Sequence, residues 1–168
     1  AYEDADYKAG FRLIAGVDEA GRGPLAGPVA AAAVILPRDL YLPHLNDSKQ
    51  LSAKARELLF AEINEKALAV GVSLVDAATI DRTNIAAATR QAMYEAINAL
   101  AVQPDKVLID AFPLPQLPLP FTAIVKGDTK SASIAAASIV AKVTRDHRME
   151  EFDRQYPEYG HQSLRYLL

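Results

Sequence analysis

The chain has 168 residues, 51% hydrophobic and 23% charged, with a formal net charge of −3, which fits one soluble globular domain large enough to bury a core. It contains no cysteine, and its three histidines, His44, His147 and His161, are scattered; disulfides, thiolate sites and zinc spacings are excluded, and any metal site must be built from oxygen ligands, which favours Mg²⁺ or Mn²⁺. The acidic balance counts against nucleic-acid binding by bulk charge, although Lys126, Lys130, Lys142, Arg145 and Arg148 lie in one segment and offer local basic ground.

In chain order, residues 11–17 are apolar except for Arg12 and predict a strand. It runs into two adjacent acids, Asp18 and Glu19, followed by the turn Gly21-Arg22-Gly23. The apolar residues 29–36 predict a second strand, and Asn46-Asp47-Ser48-Lys49 a polar loop. Ser52 suits the N-cap of a helix over 53–67, with Leu58, Leu59 and Ile63 at helical spacing. Residues 68–75 are rich in β-branched side chains and predict a third strand. Asp81 or Thr83 would open a helix reaching to about Leu100, with Ile85, Ala88, Met93 and Ile97 on one face. Lys106–Asp110 reads as a short strand ending in an acid, and 112–120, with four prolines, as a rigid loop. A fifth strand over 121–125 leads into Lys126-Gly127-Asp128, then an alanine-rich helix over 131–155, ended by Tyr156-Pro157. This order predicts an α/β domain with a mixed five-stranded sheet flanked by helices.

Three predicted strand ends carry acids: Asp18-Glu19, Asp110 and, just past the fifth strand, Asp128. Singly, each reads as a solvated loop residue. If the strands are neighbours, four carboxylates form a pocket that is stable only with bound cations or raised pKa values. Two divalent ions about 4 Å apart there would activate water and stabilise a leaving oxygen. Adjacent strand residues face opposite sides, so Glu19 joins Asp18 only if the strand has begun to turn. Gly21-Arg22-Gly23 presents backbone N–H groups and a guanidinium suited to a phosphate, or is simply a tight turn with a solvent-facing arginine. With Gly27 and Pro24 it does not match a dinucleotide fingerprint. The 46–49 loop places a hydroxyl and an ammonium on a phosphate, or forms an Asx-type turn. Lys142 and Arg145 share a helix face and either neutralise phosphates or form a solvated stripe. Asp47 and Asp146 are read as partners of basic side chains rather than metal ligands.

These residues resemble the bacterial ribonuclease HII family (type 2 ribonuclease H) over almost the whole chain. Gly16-Val17-Asp18-Glu19-Ala20-Gly21-Arg22-Gly23-Pro24-Leu25-Ala26-Gly27-Pro28-Val29 resembles its defining motif, and Asn46-Asp47-Ser48-Lys49-Gln50-Leu51 its second. Thr83-Asn84-Ile85 with Ala92-Met93 resembles its central helix, and Leu108-Ile109-Asp110 the strand of its third carboxylate. Lys126-Gly127-Asp128 with residues 136–146 resembles its last motif. The resemblance implies a single ribonuclease H-like catalytic domain over 1–168. It implies a metal-dependent endonuclease that hydrolyses the RNA strand of RNA–DNA hybrids. The enzyme would also incise 5′ of single ribonucleotides in duplex DNA, leaving 5′-phosphate and 3′-hydroxyl ends. Asp18, Glu19, Asp110 and Asp128 would hold two Mg²⁺ or Mn²⁺ ions. Arg22 with the backbone of Gly21 and Gly23 would read the ribose 2′-hydroxyl, and Ser48, Lys49 and Asn84 would hold phosphates.

The chain departs from the family pattern at Ala135, where serine is usual, and at Ala111, which follows the third carboxylate. After Gly160 the family continues with a His-Lys-Gly-Tyr-Gly-type segment whose tyrosine stacks on the junction sugar. Here His161-Gln162-Ser163-Leu164-Arg165-Tyr166-Leu167-Leu168 places leucine at that spacing, with Tyr166 one position away. A shortened C-terminal helical tail is therefore expected, and it motivates a second reading: a hybrid-binding module with impaired cleavage. A carboxylate-dependent exonuclease is the alternative within enzymes. The acidic Ala1-Tyr2-Glu3-Asp4 start lacks a signal-peptide core, and no apolar run approaches about 18 residues. The expectation is a cytoplasmic monomer with no membrane partner.

Overall fold

The computed structural model describes residues 2–21, 27–43, 45 and 50–155. A short helix, α1 (Tyr2–Lys8), precedes strands β1 (Ile14–Ala20) and β2 (Val29–Ile35). Then come α2 (Ala53–Lys66), β3 (Ala69–Val75), α3 (Ala77–Arg82), α4 (Ile85–Asn98), β4 (Lys106–Asp110) and β5 (Phe121–Ile124). A 3₁₀ turn at Gly127–Thr129 leads into α5 (Ala132–Gln155). The five strands form one mixed sheet in the order β3-β2-β1-β4-β5. β2 is antiparallel to both β1 and β3, whereas β4 is parallel to both β1 and β5.

Side-chain alternation divides the core in two. Ala15, Val17, Ala31, Ala33, Val107 and Ile109 face α4, where they meet Ala92, Met93, Ala96 and Ile97. Ala32 and Val34 face α5 and α2, against Ala136, Val140 and Ile63. Ile14, Leu108, Ile124 and Ile134 extend this second layer under α1, with Tyr7 and Phe11 at its rim. β2 is buried along its whole length because helices cover both its faces. Its run of alanines, with those of α5, lets the last helix lie close to the sheet.

Three elements differ from their predicted form. β1 begins and ends three residues later than the sequence suggests, so Asp18 and Glu19 lie inside it. Pairing with β2, Asp18 opposite Ala32 and Glu19 opposite Ala31, keeps the ladder intact as far as Ala20. The predicted helix from Asp81 or Thr83 is instead two helices, α3 and α4. Thr83 leaves the helical region (φ −111°, ψ −103°), and Asn84 caps α4 by accepting a 2.8 Å hydrogen bond from the Ala87 amide. The acidic start forms α1, which the sequence pattern did not suggest. The Ser52 cap is as expected, accepting from the Ala55 amide. Among the described residues, no helix is long and apolar enough to cross a membrane.

Candidate active site

The sheet changes from antiparallel to parallel between β1 and β4, and ligand sites in open α/β sheets form at the carboxyl ends of strands where the order reverses. Two acids stand at that place. The β1–β4 register pairs Val17 with Ile109, so Asp18 and Asp110 lie one residue beyond it on neighbouring strands. Both alternate onto the α5 face, with Gly16 and Leu108 respectively. Asp18 is only 4% exposed, and its Oδ1 accepts a 2.8 Å hydrogen bond from the Glu19 amide. Burial holds its carboxyl well above the ordinary value of 3.8. A side-chain hydrogen bond with Glu19 and the charges of Glu19 and Asp110 push in the same direction. Glu19 thus reaches Asp18 although β1 stays extended through both residues. Gly21, just past the end of β1, has a φ of +96° that favours glycine.

Asp110 ends β4, and its Oδ1 accepts a 2.8 Å hydrogen bond from the Gly127 amide. That bond draws the 3₁₀ turn against β4, and Asp128, 5% exposed, follows it directly. The residues beside these acids are strained: Ala111 and Lys126 have φ of +58° and +54°, a left-handed conformation costing about 1–2 kcal/mol in a non-glycine residue. Such outliers gather at functional sites, and Ala111 stands where the sequence departs from the family pattern.

The donor set suits a hard divalent cation, being all oxygen. Among the described residues, no group of three or more histidine, aspartate or glutamate side chains is already arranged around a metal position. Burial and the neighbouring acids disfavour the charged form of Asp18, and a divalent cation bound there would compete with protons for that carboxyl.

The remaining expected contacts are dispersed. Arg145 is not part of a solvated stripe: it is buried, and its Nε donates to the Pro28 carbonyl at 2.9 Å. A Cβ added at Gly21 would lie 2.3 Å from Arg145 Nε, and one at Gly27 3.1 Å from its guanidinium. Arg145 therefore packs against both Gly21 and Gly27. Lys142 is partly exposed and pairs with Asp146 at 3.2 Å, which agrees with reading Asp146 as a partner of a basic side chain. Asn84 is exposed and spends its side-chain oxygen on the α4 cap. Lys126 and Lys130 are exposed on either side of Asp128. Arg22, Gly23, Asp47, Ser48, Lys49 and Tyr166 lie outside the described residues. Sequence reasoning missed Glu3, whose carboxylate accepts from Ser131 and Ser133 at the start of α5; no local pattern signals a contact across so much of the chain.

A family model described as Ribonuclease HII matches residues 15–163. The ribonuclease HII of Geobacillus kaustophilus (strain HTA426) is 60% identical over 95% of this chain and 61% of its own length. That of Enterococcus faecalis (strain ATCC 700802 / V583) is 59% identical over 95% of this chain and 62% of its own. The chain therefore spans about three fifths of the length of the curated relatives it matches. The crystal structure of the ribonuclease H2 from Pyrococcus horikoshii OT3 aligns with a TM-score of 0.76 at 29% identity, over 89% of this chain and 79% of that one. The mixed sheet with its flanking helices is the expected ribonuclease H-like fold. In sequence and in architecture alike, the chain belongs to the ribonuclease HII family.

Proposed function

We propose that residues 1–168 form the catalytic domain of a divalent-metal-dependent endonuclease that cleaves RNA strands paired to DNA. It would also incise 5′ of a single ribonucleotide in duplex DNA, leaving 5′-phosphate and 3′-hydroxyl ends. The observation that carries this reading is Asp18: a buried acid kept beside Glu19 and Asp110 with its carboxyl well above the ordinary range. Holding like charges together out of water is unfavourable, and a cation-binding role explains why they stand there.

Asp18 and Asp110, on one sheet face, would hold Mg²⁺ or Mn²⁺ with Glu19 and Asp128. When bound, the metal supplies activation of water and neutralisation of the leaving oxygen. The chain's own groups do the rest. Asp18 would bind the cation as its carboxylate, in competition with protons. The Gly127 amide holds Asp110 Oδ1 and so fixes how that carboxylate is presented. Arg22, with the backbone of Gly21 and Gly23, reads the ribose 2′-hydroxyl, the group that separates RNA from DNA. Ser48, Lys49, Asn84 and Lys142 hold phosphates, with Lys126 and Lys130 beside Asp128; such contacts position a duplex without reading its sequence. Arg145, engaged by Pro28 and packed against Gly21 and Gly27, serves phosphate binding through its charge.

The test is a labelled DNA duplex containing one ribonucleotide, incubated with Mg²⁺ and then Mn²⁺. Incision 5′ of the ribonucleotide is expected, and Asp110→Asn should lower it by at least about a hundredfold while its circular dichroism matches wild type. Wild-type turnover by folded Asp110→Asn would sink the carboxylate assignment. Binding of that duplex without cleavage would favour a binding module, and degradation only from ends an exonuclease.

A further inference from the structure

Asp128 is the one member of the carboxylate set that no strand holds. It sits in the 3₁₀ turn Gly127–Thr129, so its position depends on what fixes that turn. Before Asp128, the Gly127 amide donates to Asp110 Oδ1 at 2.8 Å. After it, the Lys130 and Ser131 amides return to the Gly127 carbonyl at 2.9 and 2.8 Å. Ser131 is then the joint between turn and helix: its Oγ accepts from the Ile134 amide at 3.1 Å and donates to Glu3 Oε2 at 2.5 Å. The same Glu3 oxygen accepts from the Ser133 amide at 2.9 Å. Both serines are buried, 2% and 3% exposed, so neither group has water as a ready substitute.

Glu3 is itself anchored. It belongs to α1, and α1 is tied to the start of β4 by the Asp6–Lys106 ion pair, 3.3 Å and largely shielded. Lys106 also lies over the Phe11 ring at 5.1 Å. The first turn of α5 is confined on another side, where Ser133 and Ile134 press on Gly16 of β1 so closely that a Cβ there would lie 2.1 Å from the Ser133 carbonyl carbon. The helix therefore has a hard stop against β1 and a polar latch to α1.

We propose that Glu3 is a positioning residue for Asp128: Asp110 fixes the turn before that acid, and Glu3 fixes it after. The inference rests on the metal-dependent nuclease reading and extends it to a residue outside the 15–163 region matched by the family model. Glu3 touches neither metal nor substrate, and it acts through the placing of Ser131 and Ser133.

Three variants of the full chain separate position from charge. Glu3→Gln keeps the reach and an oxygen acceptor but loses the charge. Glu3→Asp keeps the charge but is one methylene shorter, and Glu3→Ala loses both. Mn²⁺ affinity, read from the electron paramagnetic resonance of free Mn²⁺, is measured beside kcat and KM on the single-ribonucleotide duplex, below the melting temperature of each variant. Glu3→Ala and Glu3→Asp should weaken Mn²⁺ binding and lower kcat by about tenfold, the loss typical of groups that orient a ligand, with KM unchanged. Glu3→Gln should bind and turn over close to wild type. The proposal is overturned if folded Glu3→Asp and Glu3→Ala bind Mn²⁺ as wild type does, whatever melting temperature they lose. It is equally overturned if Glu3→Gln fails while Glu3→Asp works. Should Glu3→Ala not fold, the other two variants decide. A wild-type protein that neither binds Mn²⁺ nor cleaves would overturn the nuclease reading as well, whereas active wild type with unaffected variants removes only the role of Glu3.

Discussion

Asp18 shows how one residue records a conflict between stability and chemistry. Its folded pKa lies above the value of 3.8 it would have in an unfolded chain, through burial first and through Glu19 and Asp110 next. Between those two values the native state binds more protons than the unfolded state, so stability falls as pH rises through that window. Below the ordinary carboxylate value both states are protonated and the penalty vanishes. In chelator, Asp18→Asn should therefore melt higher than wild type near neutral pH, and the two should converge as pH falls to about 4. Melting curves across that range decide it: a variant that melts lower than wild type at neutral pH would mean that Asp18 stabilises the fold without a cation. The same substitution should abolish cleavage, so stability and activity should move in opposite directions, as expected where an acid is retained for function.

At the scale of elements, each face of the sheet has, among the described residues, a glycine where a helix allows no side chain beneath it. On the α5 face it is Gly16, against Ser133, and on the α4 face it is Gly71, where a Cβ would lie 2.1 Å from the Ala96 carbonyl oxygen. Alanine at either position should destabilise by about 2–3 kcal/mol through overpacking, measured by denaturant unfolding. Only Gly16→Ala should also lower cleavage in the folded population, because it moves the helix start that seats Asp128. Gly71 is in β3, at the sheet edge remote from β4, and equal losses of specific activity would contradict this division. These contacts also explain what the sequence could disclose. β2, β4 and the body of α5 follow from uninterrupted apolar or alanine-rich runs, and α2 from the Ser52 cap, all of which are local signals. The span of β1 does not, because acids end a strand in a local reading, whereas pairing with Ala31 and Ala32 carries this one past Asp18 and Glu19. The burial of Arg145 and the latch of Glu3 to Ser131, 128 residues away, belong to tertiary structure and leave no periodicity to read.

For the whole molecule, the proposed carboxylate set would join pieces of chain that are far apart in sequence: β1, the end of β4, the turn before α5 and, through Glu3, α1. A cation bound there is a cross-link present only in the folded state, so its binding free energy adds to folding stability. At a metal concentration about 100 times its dissociation constant the gain is about 2.7 kcal/mol. For a domain of this size that raises the melting temperature by about 5–10 °C. Cation and proton compete for the Asp18 carboxyl, whose pKa is raised, so the rise should be larger at neutral pH than in the acidic range. Differential scanning calorimetry with Mg²⁺ or Mn²⁺ at two pH values tests both statements. An equal rise in the Asp18→Asn/Asp110→Asn double variant would place the cation elsewhere on this chain of net charge −3. A rise confined to wild type and growing with pH would tie the metal, the proton and the fold to one set of acids.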